Sequence, residues 1–218
     1  MDGLFGRERR ALGPGAVHVP DWLDLPGQRR LADACREWVR DGPGLRTVTL
    51  PGGGVMSVRS VCLGWHWLPY RYSRTRDDQD GGAVPPVPSW LADLGRAALA
   101  ATGHPDAQAY RPDVAVVNFY DGDARMGLHQ DREERSPAPV VSLSVGRACL
   151  FRLGSAGHRG RPWTDVELYS GDLVVFGGAS RLAFHGVPRL LDDPGPPGTG
   201  LRSGRLNVTL RESGLDAP

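Results

Sequence analysis

Residues 114–146 read VAVVNFYDGDARMGLHQDREERSPAPVVSLSVG, and this stretch decides the fold class. Two short runs rich in Val and other β-forming residues, at 114–120 and 139–146, enclose a polar segment. Runs of this length and composition, bounded by turn residues, predict β-strands. The segment between them contains His129-Gln-Asp131, and in an extended backbone the side chains at positions i and i+2 share one face.

The same pattern continues toward the C-terminus. Further short β-rich runs are separated by Gly- and Pro-containing turns: ACLFRLG (148–154), DVELY (165–169), DLVVFGG (172–178), RLAFHGV (181–187) and RLNVTLRE (205–212). Many short strands of this kind are typical of a sandwich or jelly roll.

The N-terminal part has a different character. Residues 1–20 predict an irregular arm, and the stretch 47–58 is strand-like around a Pro-Gly-Gly turn. Apolar residues recur at helical spacing in 24–41 and in 89–102, which predicts two helices. We therefore expect a mainly β protein with flanking helices (α+β) around a jelly-roll core, in one domain of 218 residues.

Composition excludes several classes of function. All 26 basic residues are arginine, so Schiff-base chemistry and a phosphate-cradling lysine are excluded. The net charge is only +1, so any nucleic-acid binding must come from a local arginine patch. No apolar run is long enough to span a membrane, and the three cysteines lie far apart. We expect a cytoplasmic protein with no membrane partner.

A metal site is the sharpest chemical hypothesis from the residues alone. The H-x-D pattern occurs at His129 and again at His104, where Pro105 indicates a turn. His185 is the best candidate for a third ligand to join His129 and Asp131. Two histidines and one carboxylate form the facial triad of non-heme Fe(II) oxygenases. The alternative is that each histidine is an ordinary core or surface residue bonded to a neighbour.

The last predicted strand offers independent support. Arg205, Asn207, Thr209 and Arg211 alternate with apolar residues, so one face of the strand is polar. The alternative is an edge strand whose polar face meets water. In the functional interpretation, two arginines roughly 20 Å apart along the strand lean together and hold a short dicarboxylate such as 2-oxoglutarate.

Taken together, these stretches resemble the AlkB family of Fe(II)/2-oxoglutarate-dependent dioxygenases. The resemblance covers most of residues 45–212, and its motifs occur in the family's order. They are Pro51-Gly-Gly, Met56-Ser-Val, Leu63-Gly-Trp65, Tyr70-Arg-Tyr72-Ser, N-F-Y-x8-H-Q-D (118–131), PVVSLSVG (139–146), GDLVVFGGASRLAFHG (171–186) and RLNVTLR (205–211).

The resemblance implies a metal site and a cosubstrate site. His129, Asp131 and His185 match the iron ligands, with Fe(II), 2-oxoglutarate and O2 as the reagents. The residues that match the cosubstrate pocket are Asn118, Phe119, Tyr120, Arg205, Asn207, Thr209 and Arg211. By this resemblance Arg205 takes the distal carboxylate and Arg211 the one near the iron.

The resemblance also implies substrate-binding residues. Trp65, Tyr70 and Tyr72 match a lid that holds the alkylated nucleotide. Glu133 stands where the family has an aspartate that faces the damaged base, so the side chain is longer by one methylene. Arg159 matches a substrate-contacting arginine, with His158 as the alternative.

The function implied is oxidative removal of N-alkyl groups from nucleic-acid bases such as 1-methyladenine and 3-methylcytosine. The products are formaldehyde, succinate and CO2, and the role is DNA repair by a monomer acting on single-stranded DNA or RNA. Residues 1–110 then form the arm, helices and nucleotide-recognition lid, and 111–218 the catalytic double-stranded β-helix. The alternatives are an oxygenase of RNA (tRNA), a protein or a small molecule, and a cupin-like metal-binding module without oxidation.

Overall fold

A computed structural model describes residues 7–216. Its helices are α1 Leu25–Arg40 and α2 Ser89–Ala101. Its strands are β1 Arg10–Gly13, β2 Ala16–Val19, β3 Arg46–Thr49, β4 Val55–Leu63, β5 His66–Leu68, β6 Arg71–Ser73, β7 Val114–Tyr120, β8 Met126–His129, β9 Val140–Gly146, β10 Cys149–Leu153, β11 Thr164–Leu168, β12 Leu173–Phe176, β13 His185–Leu190 and β14 Arg205–Arg211. Within this range neither helix has the length and apolar character needed to cross a bilayer.

The strands form two main antiparallel sheets and a small hairpin. The larger sheet has eight strands in the order β1-β2-β12-β9-β14-β7-β4-β3, and the smaller has the order β11-β10-β13-β8. Strands β5 and β6 pair only with each other. One apolar cluster lies between the two main sheets, and another joins the larger sheet to α1 and α2. This arrangement confirms the predicted jelly-roll core with flanking helices.

Side chains alternate strictly along the central strands, so each strand has one face toward the helices and one toward the smaller sheet. On β7, Ala115 and Val117 pack against the helices, while Asn118 and Tyr120 face the smaller sheet. The same holds for β14, whose apolar residues face the helices and whose polar residues face inward between the sheets. Strand β14 pairs with both β7 and β9, so it is a central strand. The edge-strand alternative is therefore wrong.

The first helix begins and ends as its sequence predicts. Asp24 caps it by accepting a hydrogen bond from the Gly27 amide at 2.9 Å, and Pro26 occupies the first turn, where no amide donor is needed. Leu31 and Cys35 lie on the buried face. This face covers the larger sheet and leaves the opposite side of that sheet for the site.

The expected irregular arm is wrong in part. Residues 1–6 lie outside the described residues, but 10–19 form the β1–β2 hairpin around a turn at Gly15, whose φ is +76°. Strand β2 pairs with β12, with His18 opposite Val174. The larger sheet thus takes strands from both sides of residue 110, the predicted boundary between the lid region and the catalytic core.

The strand predicted at 181–187 starts later than expected, at His185. Residues 181–184 form a turn and irregular backbone after the short 3-10 helix Gly178–Ser180. Arg181 is drawn inward because its guanidinium donates to the backbone carbonyls of Ala138 at 2.8 Å and Asp131 at 2.6 Å. These long-range bonds outweigh the local strand preference.

Asp172 fixes the N-terminal segment to the larger sheet. Its buried carboxylate accepts two hydrogen bonds from Arg7 at 2.7 Å and lies 2.8 Å from His18 Nε2. Backbone amides of Asp21 and Tyr169 donate to it at 3.0 Å. Burial alone would raise the pKa of Asp172, but these partners outweigh it and lower that pKa below its ordinary value.

We expect Asp172→Asn to lower the free energy of unfolding by about 2 kcal/mol, since hydrogen bonds to a charged group contribute about 1.5–3 kcal/mol. Because the pKa is lowered on folding, this stabilisation is present above the ordinary carboxyl pKa of about 4 and is lost as the pH falls through the folded value. Denaturant unfolding at neutral and acid pH measures the effect. The exposed Asp192→Asn is the control, and equal stability of the two variants would contradict this assignment.

Candidate metal centre and cosubstrate cavity

The three predicted metal ligands lie together at one end of the smaller sheet. His129 ends β8, Asp131 follows it, and His185 begins β13 directly opposite His129 in the strand register. One potential ligand atom from each residue lies within 4.8 Å of the other two. Asp131 Oδ1 is 3.7 Å from His129 Nε2, and Asp131 Oδ2 is 3.6 Å from His185 Nε2.

The protonation of both imidazoles suits metal binding. Nδ1 of His129 lies 2.9 Å from the Gly127 carbonyl, and Nδ1 of His185 lies 3.0 Å from the Ala183 carbonyl. A carbonyl oxygen only accepts, so Nδ1 carries a hydrogen in both rings and Nε2 is the nitrogen that can bind a metal. Burial lowers the pKa of His185 to about 4, with His129 adding to the effect, which keeps this ring neutral.

Asp131 is a buried carboxylate that stays ionised. Burial alone would raise its pKa, but the guanidinium of Arg211 beside it outweighs this effect and lowers the pKa. Arg211 Nη2 lies 2.9 Å from Oδ2, yet that oxygen accepts no well-directed hydrogen bond from any described residue. A buried carboxylate oxygen with a free lone pair, beside two imidazole nitrogens, fits a divalent metal ion.

A narrow cavity extends from the triad between the two sheets. Six of the predicted cosubstrate residues line it beside His129 and His185: Asn118, Tyr120, Arg205, Asn207, Thr209 and Arg211. Arg205 is 1% exposed and donates to Ser144 Oγ at 2.8 Å, but its Nε and Nη1 have no partner among residues 7–216. A buried guanidinium with two unsatisfied donors fits an anionic ligand in this cavity.

Phe119 is the one predicted cosubstrate residue that the structure does not bring to this cavity. Phe119 lies between Asn118 and Tyr120 in the sequence, so its side chain points to the opposite face of β7. There it packs toward the helices. The guanidinium of Arg59 lies 5.3 Å from its ring centroid. Side-chain alternation along a strand makes this separation unavoidable.

The predicted lid residues lie near the Arg211 end of the cavity. Trp65 and Tyr72 pack with Val114 and Val116, which share the inward face of β7. Trp65 Nε1 donates to Asp113 at 3.1 Å, and the guanidinium of Arg74 lies 3.6 Å from the indole centroid. Tyr70 is different, because it is 64% exposed in the turn between β5 and β6.

The β5–β6 hairpin is fixed to the larger sheet by buried Arg46. Its guanidinium donates to the Trp67 carbonyl at 2.6 Å and to both carboxylate oxygens of Asp78 at 3.0 Å. His66 Nε2 lies 2.7 Å from the same carboxylate. The hairpin that follows Trp65 therefore has a defined position over the site.

The remaining predicted substrate residues lie at the surface near the triad. Glu133 is half-buried, two residues beyond Asp131. Arg159 and His158 are both exposed, and the guanidinium of Arg159 lies 5.3 Å from the Phe184 ring centroid. Phe184 directly precedes the predicted ligand His185, so the guanidinium of Arg159 lies near the triad.

Sequence reasoning missed Glu134, whose buried carboxylate joins the lid to the cavity. It accepts from Tyr72 Oη at 2.5 Å, from Arg181 at 3.0 Å and from Arg211 at 3.1 Å. Arg211 also donates to Tyr72 Oη at 2.9 Å. Glu133 and Glu134 are adjacent acidic residues in the same polar segment, so local sequence does not distinguish them. The one available indication was Arg181, which lies in the motif at 171–186 and needs an acidic partner when it is buried.

The 2OG-Fe(II) oxygenase superfamily model matches residues 15–211. The jelly roll with a two-histidine, one-carboxylate cluster defines this class, and the chain belongs to it. A Caulobacter vibrioides relative, "Alpha-ketoglutarate-dependent dioxygenase AlkB homolog", is 38% identical over 206 residues, which are 92% of this chain and 88% of the relative. Escherichia coli "Alpha-ketoglutarate-dependent dioxygenase AlkB" is 37% identical over 175 residues, covering 78% and 77%. The chain is therefore a member of the AlkB family.

Other relatives extend the comparison. "DNA N(6)-methyladenine demethylase ALKBH1C" of Arabidopsis thaliana is 34% identical over 95% of this chain, but the chain spans only about half that relative's length. The solved structure of OsALKBH1 superposes with a TM-score of 0.83 at 32% identity, covering 94% of this chain and all of that one. Family membership implies Fe(II), 2-oxoglutarate and O2 as cofactors, and the donor set described above fits them.

We expect His185→Ala to weaken Mn(II) binding by more than about 100-fold, because even the loss of a residue supporting a ligand costs about 10–100-fold. Anaerobic titration calorimetry measures the affinity. His104→Ala is the matched control, since His104 also belongs to an H-x-D sequence but lies apart from the cluster. Unchanged affinity in His185→Ala would remove His185 from the metal site.

Proposed function

We propose that this protein is an Fe(II)/2-oxoglutarate-dependent dioxygenase that removes N-alkyl groups from nucleic-acid bases such as 1-methyladenine and 3-methylcytosine. Formaldehyde, succinate and CO2 are the products. The observation that carries the proposal is a metal-ligand cluster at one end of a cavity and a buried, partly unpartnered Arg205 farther along it. The names of the relatives, among them "Nucleic acid dioxygenase ALKBH1" of Homo sapiens, support a nucleic-acid substrate.

When bound, iron and 2-oxoglutarate supply the oxidising power together with O2, and the protein supplies orientation and the exclusion of water. His129, Asp131 and His185 would hold the metal through Nε2, a carboxylate oxygen and Nε2. The cavity between the sheets would exclude bulk water from the reacting group.

The two cavity arginines differ in how many of their N–H donors already have a partner. Arg211 already contacts Asp131, Glu134 and the hydroxyl of Tyr72, whereas Arg205 keeps two donors unused. In the β14–β7 register Arg205 lies opposite Tyr120 and Arg211 opposite Val114, so they stand at opposite ends of the cavity. This supports Arg205 as the partner of the distal carboxylate and Arg211 as the arginine near the metal.

The lid side of the site suits a flat base. Stacking of a base on an aromatic side chain contributes about 1–3 kcal/mol. Trp65 and Tyr72 pack on the inward face of β7, and Tyr72 Oη contacts Arg211, which in turn contacts Asp131. Bases methylated at N1 of adenine or N3 of cytosine are cationic, so the half-buried carboxylate of Glu133 favours them electrostatically.

We further propose that the substrate is single-stranded DNA or RNA, because the target base must leave its stack to reach the metal. The site is assembled from one chain, which supports a monomer as the active form. The three free cysteines are buried, which supports a reducing, cytoplasmic setting.

The direct test is formaldehyde release from methylated single-stranded oligonucleotides, in DNA and in RNA, with Fe(II), 2-oxoglutarate and O2. We expect one formaldehyde for each base restored and no release when 2-oxoglutarate is omitted. Succinate formation without formaldehyde from any of these oligonucleotides would overturn the substrate class while leaving the oxygenase assignment intact.

We expect Arg205→Met to raise the 2-oxoglutarate concentration for half-maximal turnover by more than about tenfold, because a hydrogen bond to a charged group contributes about 1.5–3 kcal/mol. Without 2-oxoglutarate, the thermal stability of this variant should be no lower than that of the wild type, since the change removes a buried charge with unsatisfied donors. The exposed Arg189→Met is the control. An unchanged 2-oxoglutarate requirement would contradict the assignment of Arg205.

We expect Trp65→Ala to raise KM for a methylated oligonucleotide by between about fivefold and a hundredfold, which corresponds to the loss of 1–3 kcal/mol of stacking. Succinate formation in the absence of oligonucleotide should fall much less. Trp65→Phe, which keeps an aromatic face, should recover part of the loss. An equal decrease of both activities in Trp65→Ala would point to a packing role alone.

A further inference from the structure

The loop 154–163, which joins β10 to β11, lies directly beside the metal cluster. It begins one residue after Leu153, which is the register partner of His185. The Gly154 amide donates to the Phe184 carbonyl at 2.7 Å, and the Phe184 amide donates to the Ser155 carbonyl at 3.0 Å. The start of the loop is thus paired with the residue that precedes a metal ligand.

A second anchor ties the loop to the other two ligands. Gln130, which stands between His129 and Asp131, donates from Nε2 to the Ala156 carbonyl at 2.9 Å and to the Leu182 carbonyl at 2.6 Å. The first three residues of the loop, Gly154 to Ala156, are therefore anchored to segments that carry all three triad residues.

The loop is positively charged and exposed. Its sequence, GSAGHRGRPW, contains two arginines and no acidic residue. Arg159 and Arg161 are both exposed, and neither forms an ion pair with a carboxylate in the described part of the chain. The nearby Asp165 is engaged by Arg152, which donates two hydrogen bonds to it at 2.7 Å.

Arg161 of the loop and Arg152 of β10 both lie against the ring of Trp163. The guanidinium of Arg161 lies 5.1 Å from the Trp163 ring centroid, and that of Arg152 lies 4.1 Å from it. Trp163 Nε1 donates to the Arg159 carbonyl at 2.9 Å, which fixes the ring within the loop. A guanidinium stacked on a ring keeps its N–H edge free, and its planar fork matches a phosphate bidentately.

We propose that Arg161, held on Trp163, binds a backbone phosphate of the nucleic-acid strand next to the target base. The loop 154–163 then forms a strand-binding surface that continues outward from the metal centre. The ligand is a single strand, because the two exposed arginines of a loop anchored beside the triad complement a phosphate backbone that carries a base to the metal. This inference rests on the proposed function and adds a contact for the flanking strand.

The test is the salt dependence of binding. A fluorescent, methylated single-stranded oligonucleotide is titrated with the Mn(II)- and 2-oxoglutarate-loaded protein, without O2, between 50 and 200 mM salt. For single strands each phosphate contact contributes about 0.7 to the slope of log affinity against log salt. We expect Arg161→Ala to weaken binding several-fold and to reduce the steepness of this slope by about 0.7, whereas Arg161→Lys, which keeps the charge, should retain the slope.

Two further variants complete the design. Trp163→Ala should weaken binding in the same direction as Arg161→Ala, and Trp163→Phe should recover part of the affinity. Arg40→Ala removes an exposed arginine at the end of α1 and should leave both affinity and slope unchanged.

The outcomes separate this inference from the proposed function. If the wild type binds and demethylates the oligonucleotide while Arg161→Ala keeps the wild-type affinity and slope, the inference is overturned and the proposed function stands. If the wild type neither binds nor demethylates any methylated oligonucleotide, both are overturned.

Discussion

The burial of a polar strand face in the middle of the larger sheet is the constraint on which the rest of the structure depends. Strand β14 pairs on both sides, so the inward side chains of Arg205, Asn207, Thr209 and Arg211 cannot reach bulk water. A buried charge is costly unless it is paired. The surrounding strands and loops supply hydrogen-bond and ion-pair partners for most of these polar groups. The cavity lies beside the donors of Arg205 that have no partner in the described chain.

The partners of Arg211 connect three parts of the site. Its guanidinium contacts the carboxylate of Asp131 in the metal-ligand cluster, the buried Glu134 and the hydroxyl of Tyr72 on β6. Glu134 also accepts from Arg181, which in turn donates to the Asp131 carbonyl. One connected network of charges therefore sets the positions of the metal ligand, the lid and the end of the cavity, and a shift in any member would be felt by the others.

Arg205 shows the opposite arrangement. The protein satisfies one of its nitrogens through Ser144 and leaves two donors without a partner in the described chain. Such a group lowers stability in the empty protein and gains its partners only when an anionic ligand enters. In the proposed function, 2-oxoglutarate is therefore held by a group of the core rather than by a surface loop.

Much of the fold and the site could be predicted from local sequence. Helix α1 followed from its apolar spacing, and the pairing of His129 with Asp131 followed from the i, i+2 relation in an extended segment. Alternation also predicts that Phe119 cannot share a face with Asn118 and Tyr120, whereas the family resemblance groups all three residues. The β1–β2 hairpin was missed because four-residue strands gain their stability from pairing with β12, which no local pattern reports.

The sequence by itself determined the alternation of β7 and β14, the residue types of the metal cluster and the family to which the chain belongs. The tertiary structure decided which residues meet: it brought His185 opposite His129, separated Glu134 from its neighbour Glu133 by burying it among arginines, and set loop 154–163 beside the triad. The reason is physical. Local patterns follow from the geometry of a single strand or helix, whereas the register between distant strands and the pairing of buried charges depend on the free energy of the whole packed chain.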